Sequence, residues 1–184
     1  MTNRSRGIVL LLALLFALPV AAATTLYLSG WRPEAPAVHG VLVQPPLPVA
    51  HVTLGKLAGR KVQLRDFSTK WTLLYFGPAD CPADCRRSLA AMRQVYVAQG
   101  RQQERVQRVF VARGAVPPDG EILCAFPGMA VVASQEVDWK GWMGGGRIFL
   151  IDPLGNRVMD YRADADPAGI RQDLARLLTY SWVG

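Results

Sequence analysis

Apolar and polar positions divide this chain into stretches of different period. From Gly7 to Leu28 there is no charge, a run of 22 residues preceded by Arg4 and Arg6 and followed by no charge until Arg32. A run of that length suffices to cross a bilayer. Basic residues ahead of it and none close behind predict a cytoplasmic N-terminus at 1–6 and translocation of everything beyond 28. Ala21-Ala22-Ala23 would also suit signal peptidase, so residues 7–28 read as a transmembrane anchor (or signal peptide). The anchor is favoured because the apolar run continues through Leu26, Tyr27 and Leu28 to interfacial Trp31. Residues 29–50 carry Pro33, Pro36, Pro45, Pro46 and Pro48 with little periodicity, which predicts an extended tether.

A globular domain is expected over 51–184. Lys61 to Leu64 alternates like a short edge strand, and Trp71 to Phe76 is a nearly continuous apolar run, as in a central strand covered on both faces. After Gly77-Pro78, Pro82 suits the first position of a helix whose stripe is Cys85, Leu89, Met92 and Tyr96 and whose end is Gly100. Val106 to Ala112 predicts another strand. Residues 113–146 are broken by Pro117-Pro118, Pro127 and Gly144-Gly145-Gly146, with a short strand expected at Ala130–Ala133 and a brief helical piece at Val137–Met143. Arg147–Ile151 and Arg157–Tyr161 flank Asp152-Pro153-Leu154-Gly155-Asn156 as a hairpin. Asp166-Pro167 then caps a last helix with Ile170, Leu174, Leu177 and Leu178 on one face.

Composition sharpens this picture in two ways. With 51% hydrophobic and 19% charged residues the chain is not disordered, and about 150 residues can bury a full core without a disulfide scaffold. The net charge of +7 includes Arg4 and Arg6. Arg86, Arg87, Arg93, Arg101, Arg105 and Arg108 read as a solvated helix face and its exit, with no interleaved aromatics, so no nucleic-acid partner is expected. Weak attraction to anionic lipid is the expected use of that charge.

The candidate chemistry is Cys81-Pro82-Ala83-Asp84-Cys85, placed where a strand turns into a helix. Thiols at i and i+4 face one side about a turn apart, at a Cα separation a disulfide tolerates. Such a pair can bridge, or both sulfurs can ligate one soft ion such as Cu(I). Free helix-start amides with Arg86 and Arg87 favour thiolate, while Asp80 and Asp84 oppose it, so a moderate lowering of the Cys81 pKa is expected. The bland alternative is two small buried hydrophobes placed by chance.

A crossover between parallel strands, then an antiparallel hairpin and a closing helix, is the plan of an α/β thioredoxin-like fold, a central mixed sheet flanked by helices. Lys70-Trp71-Thr72-Leu73-Leu74-Tyr75-Phe76-Gly77, the CxxxC, and Ile148-Phe149-Leu150-Ile151-Asp152-Pro153-Leu154-Gly155 resemble the Sco/SenC copper-chaperone family of cytochrome oxidase assembly. The resemblance covers roughly Leu57 to Leu178 with the anchor upstream. It implies Cu(I) as cargo, Cys81 and Cys85 as ligands or redox pair, and a cytochrome oxidase subunit or other exported thiol protein as partner.

The family also uses a histidine ahead of the strand at Arg147–Leu150. This chain has only His39 and His51, and Trp142-Met143-Gly144-Gly145-Gly146 stands where that ligand is sought. Met143, Cys124 and His51 are possible substitutes, though they read more simply as packing, a buried structural thiol and a surface histidine. Cu(I) can be held by two thiolates, whereas Cu(II) prefers imidazole nitrogen, so a cysteine-only site should bind Cu(II) poorly.

Three functions are therefore open. The first is a membrane-anchored Sco-like protein at the inner (plasma) membrane, its domain facing the periplasm, carrying Cu(I) or keeping a partner's cysteines reduced. The second is a general exported thiol-disulfide oxidoreductase in which the more exposed Cys81 attacks and Cys85 resolves. The third is a non-catalytic assembly factor that binds a membrane partner. A peroxidase is disfavoured, since no arginine or threonine motif supports Cys81.

Overall fold

A computed structural model describes residues 3–31, 38–57, 59–114, 120–135 and 147–181. The chain divides into two units, Met1–Ala37 and Val38–Gly184. The first holds α1 (Asn3–Leu28), which contains Pro19 and within which Arg6–Leu28 has the length and apolar composition of a membrane span.

The second unit is built on β4 (Trp71–Pro78), whose first six residues are all buried. Alternate side chains enter cores on both faces, which is why Thr72 is the one polar residue among those six. Trp71, Leu73 and Tyr75 belong to the core beneath α2 (Ala83–Val97) and α4 (Pro167–Tyr180), while Leu74 and Phe76 enter a second core with Val49, Leu54, Val62 and Leu64. β5 (Val106–Arg113) lies parallel to β4, and β6 (Ala130–Ser134) parallel to β5. On the other side of β4 the hairpin of β7 (Arg147–Ile151) and β8 (Asn156–Arg162) runs antiparallel. Asp152 Oδ1 closes that hairpin by accepting from the amides of Leu154 and Asn156. The result is the expected mixed sheet flanked by helices.

The sheet is longer than the sequence suggested. Its order is β1-β8-β7-β4-β5-β6-β2-β3, with β1 (Val41–Pro48), β2 (Thr53–Leu57) and β3 (Arg60–Gln63) at the two ends. Residues 41–48, read as part of the tether, instead pair antiparallel with β8, with an irregularity between Leu42 and Leu47 that accommodates Pro45 and Pro46. An edge strand tolerates prolines because only one side of it needs donors. β2 escaped notice because Gly55 and Lys56 spoil its pattern. The glycine is required there: its φ is +136°, and a Cβ would sit 2.1 Å from the Ala133 carbonyl oxygen.

Helix boundaries shift by a residue or two. Pro82 is the N-cap of α2 rather than its first residue, and the helix ends at Val97 with Ala98 as its C-cap, Gly100 opening a 3-10 turn to Arg105. Val95, rather than Tyr96, completes the buried stripe. α4 begins as expected, Asp166 Oδ1 accepting from the Ala168 amide at 2.9 Å. The short strand at 130–133 is β6, preceded by the unforeseen α3 (Gly120–Ala125). The expected helical piece at 137–143 lies outside the described residues.

Arg108 departs from the solvated arginine face. It is 4% exposed, its guanidinium 4.6 Å from the Tyr96 ring centroid and donating to the Pro127 carbonyl at 2.7 Å. Its Nε and Nη1 have no hydrogen-bond partner, and burial lowers its pKa.

Candidate functional site

The end of β4 delivers Cys81 to the start of α2. The Cys81 amide donates to Pro78 O at 3.2 Å, Pro82 provides the N-cap, and Arg86 N returns to Pro82 O at 3.0 Å. Cys81 takes a left-handed φ of +39°, which costs a non-glycine residue on the order of 1 kcal/mol or more and must be held by its surroundings. The two sulfurs are joined, with Cys81 and Cys85 Cα atoms 5.1 Å apart. Both residues are buried, at 0% and 1% exposure, so the sequence-based view of Cys81 as the more exposed thiol does not hold in this state. Gly77 fits beneath them: a Cβ there would lie 2.7 Å from Tyr75 and 3.5 Å from Cys85 Sγ.

With this geometry in view, a family model described as "Transmembrane-like, thioredoxin-like, C-terminal domain" matches residues 71–181, more than half of the chain. The chain belongs to that family. Among solved structures the thioredoxin-like domain is similar to apo Sco1 from Thermus thermophilus (22% identity, 81% of this chain and 100% of that one, TM-score 0.62). Copper-bound yeast Sco1 also aligns (16% identity, 76% and 96% coverage, TM-score 0.62), as does dsbF of MTB in mixed oxidised and reduced forms (19% identity, 71% and 98%, TM-score 0.53). Comparison with characterised proteins by sequence finds no match. At these identities the structures establish the Sco-like, thioredoxin-like fold.

Around the disulfide of this thioredoxin-like domain the charges are mostly committed. Arg86 Nε donates to Cys81 O at 3.2 Å and its Nη1 lies 3.8 Å from Glu121 Oε1 on α3. Arg87 pairs with Asp84, both exposed, so its charge is offset by one of the two aspartates expected to oppose the thiolate. Burial raises the Tyr75 pKa, moderated by its hydrogen bond with Ser88, whose Oγ donates to Asp84 O at 3.1 Å. Tyr75 and Ser88 thus form a polar seam beside Cys85 that the sequence pattern did not reveal.

Of the proposed substitutes for the histidine, His51 and Cys124 are not assembled with the pair. Among the described residues no three His, Cys, Asp or Glu side chains converge as a metal site. His51 is exposed in the turn before β2. Cys124, expected to be buried, is exposed on α3, because only Ile122 of that helix faces the core. Met143 lies outside the described residues. Two thiols, once reduced, fit a two-coordinate soft cation and offer nothing suited to Cu(II).

A second cluster lies where the chain enters the domain. Asp173, 3% exposed on α4, accepts from the His39 amide at 3.0 Å and the Gly40 amide at 3.2 Å, and from the Tyr161 hydroxyl at 3.3 Å. His39 Nδ1 stands 3.4 Å from its other oxygen. The His39 ring packs against Gly169, where a Cβ would come within 2.6 Å of Cγ. Burial, then the Asp173 charge, pushes the Tyr161 pKa far up.

Proposed function

We propose that this protein is a membrane-anchored, extracytoplasmic thiol-disulfide oxidoreductase whose dithiol, Cys81 and Cys85, reduces the disulfide of an exported partner. The observation that carries this is the pair itself, joined at a strand-to-helix turn with its Cα atoms 5.1 Å apart. In the reduced protein one thiolate attacks a partner disulfide and forms a mixed disulfide, expelling the partner's other thiolate. The second cysteine then attacks its neighbour's sulfur, releasing the partner as a dithiol and leaving Cys81–Cys85 oxidised. Two electrons pass to the partner, and an exported thiol reductant restores the dithiol. Cys81, nearer the α2 N-terminus, is assigned the attacking role and Cys85 the resolving one.

Cu(I) carriage is a second reading of the same residues, favoured by the soft two-thiolate donor set and by the copper-bound Sco structures of similar fold. In that reading the copper site of cytochrome oxidase, or the thiols that receive its copper, is the destination. The anchor α1 would place the domain on the periplasmic side of the inner membrane.

Mass-tag thiol counting on the full-length protein separates these readings. Mixed with an oxidised acceptor peptide, the reduced wild type should lose two thiols as the acceptor gains two, Cys81→Ser should transfer none, and Cys85→Ser should accumulate a mixed disulfide. Transfer by Cys81→Ser at the wild-type rate would remove Cys81 from the attacking role. Uptake of one Cu(I) under anaerobic competition, lost in both variants, would establish the copper reading beside it.

A further inference from the structure

At the end of the sheet away from β1, a cleft of about 510 Å³ is lined by Thr53, Arg60, Lys61, Gln63, Arg65 and Asp66. Its frame is firm. Thr53 of β2 and Gln63 of β3 are paired across the antiparallel ladder, and Val62 and Leu64 between the lining residues are buried at 1% exposure. The Leu64 and Arg65 amides donate to Val52 O and Ala50 O at 2.9 and 3.0 Å, fixing the turn that presents Arg65. The single acid is occupied, Asp66 Oδ2 accepting from the Gln63 amide at 2.8 Å. Among the described residues, neither Arg60 nor Arg65 has a side-chain hydrogen bond or ion pair. Two arginines and a lysine thus line the cleft against one acid, giving its lining residues a formal net charge of +2.

We infer that this cleft binds a phosphate group. Its volume falls in the range of small-ligand sites, and the planar N–H fork of an arginine matches phosphate oxygens better than an ammonium group does. A phosphodiester of an anionic lipid headgroup and a soluble phosphate ester present the same chemistry to it. The inference is independent of the thiol chemistry at Cys81 and Cys85. The competing explanation is that Arg60 and Lys61 merely keep the β3 edge from pairing with other chains.

The test is hydrogen exchange on the full-length protein in nanodiscs, following peptides that cover Thr53 to Asp66. One arm compares discs of phosphatidylcholine alone with discs containing phosphatidylglycerol; the other titrates glycerol 1-phosphate into phosphatidylcholine discs. Protection in the first arm identifies a lipid headgroup, and saturable protection in the second identifies a soluble ester. Arg60→Gln and Arg65→Gln should each weaken the effect about fivefold, Arg60→Lys should retain part of it, and Arg101→Gln, elsewhere on the surface, should change nothing. Absence of protection in both arms overturns the site. So does an equal loss in Arg101→Gln, which would show diffuse charge attraction rather than a cleft.

Discussion

Replacing Asp173 with alanine tests whether the entry to the domain is held by one buried carboxylate. In the native structure that group satisfies two backbone amides, His39 and Gly40, and the Tyr161 hydroxyl, while facing His39 Nδ1. Alanine removes all four contacts at a position 3% exposed to solvent. A buried donor left unmatched costs roughly 1–3 kcal/mol. His39 is 38% exposed, so water can replace part of what its groups lose, which leaves about 3–5 kcal/mol for the cluster. For a domain of this size that lowers the melting temperature by about 10 °C. Thermal unfolding of the full-length protein reads the global effect. Hydrogen exchange reads the local one, which should be largest at the Val41 end of β1, where the strand pairs with Asp160 beside Tyr161. Asp173→Asn, which keeps one acceptor oxygen, should fall between alanine and wild type. A change below about 0.5 kcal/mol in Asp173→Ala, the usual range for surface substitutions, would refute the assignment of the carboxylate as the organiser of this junction.

Further expectations follow from single contacts. Because Tyr161 is held neutral well above the pH at which an unfolded tyrosine ionises, its contribution to stability is complete below about pH 10 and declines as pH rises further. Denaturation midpoints taken from pH 9 to 11 should show that decline, and a Tyr161→Phe variant with an unchanged slope would contradict it. Arg86→Ala frees the Cys81 carbonyl and the Glu121 carboxylate, so reduction of the buried disulfide by dithiothreitol should quicken by about threefold to fivefold, in keeping with about 1 kcal/mol of largely exposed contacts. An unaltered rate in stopped-flow thiol release would exclude Arg86 as a restraint on that turn. Gly55→Ala forces a Cβ onto the Ala133 carbonyl at a φ of +136° and should cost about 3 kcal/mol or more, with exchange rising in β2 and β3. Urea unfolding with the wild-type midpoint would show that β2 can shift away from β6.

The elements legible in the sequence were those whose pattern is local and whose burial is complete. Trp71 to Phe76 announced β4 because both faces of that strand are covered, and Asp166-Pro167 announced α4 because capping chemistry lies within three residues. The strand-turn-helix context likewise marked Cys81 and Cys85 as neighbours. What stayed hidden depends on partners distant in the chain. β1 looks like a proline-rich tether until β8 supplies its hydrogen bonds, and Asp173 meets His39 across 134 residues. Arg108 and Cys124 reversed their expected environments for a related reason. Residue type sets a default exposure, and tertiary packing put the arginine under Tyr96 while turning the thiol on a one-turn helix outward.

The burial of the disulfide constrains both readings of the site in the same way. A partner sulfur or an incoming cuprous ion must reach sulfurs that are covered at both positions, so the oxidised structure is closed to either event. At this turn Cys81 carries a left-handed backbone, and the Arg86 side chain is bonded to its carbonyl. Reduction removes the covalent tie between the turn and α2 and leaves the Cys81 backbone to be held by its core packing and these hydrogen bonds. The dithiol is the state that can attack a disulfide or accept Cu(I). Thiol exchange and copper carriage share this one reduced form, and what distinguishes them is whether a partner disulfide or a soft cation meets it first.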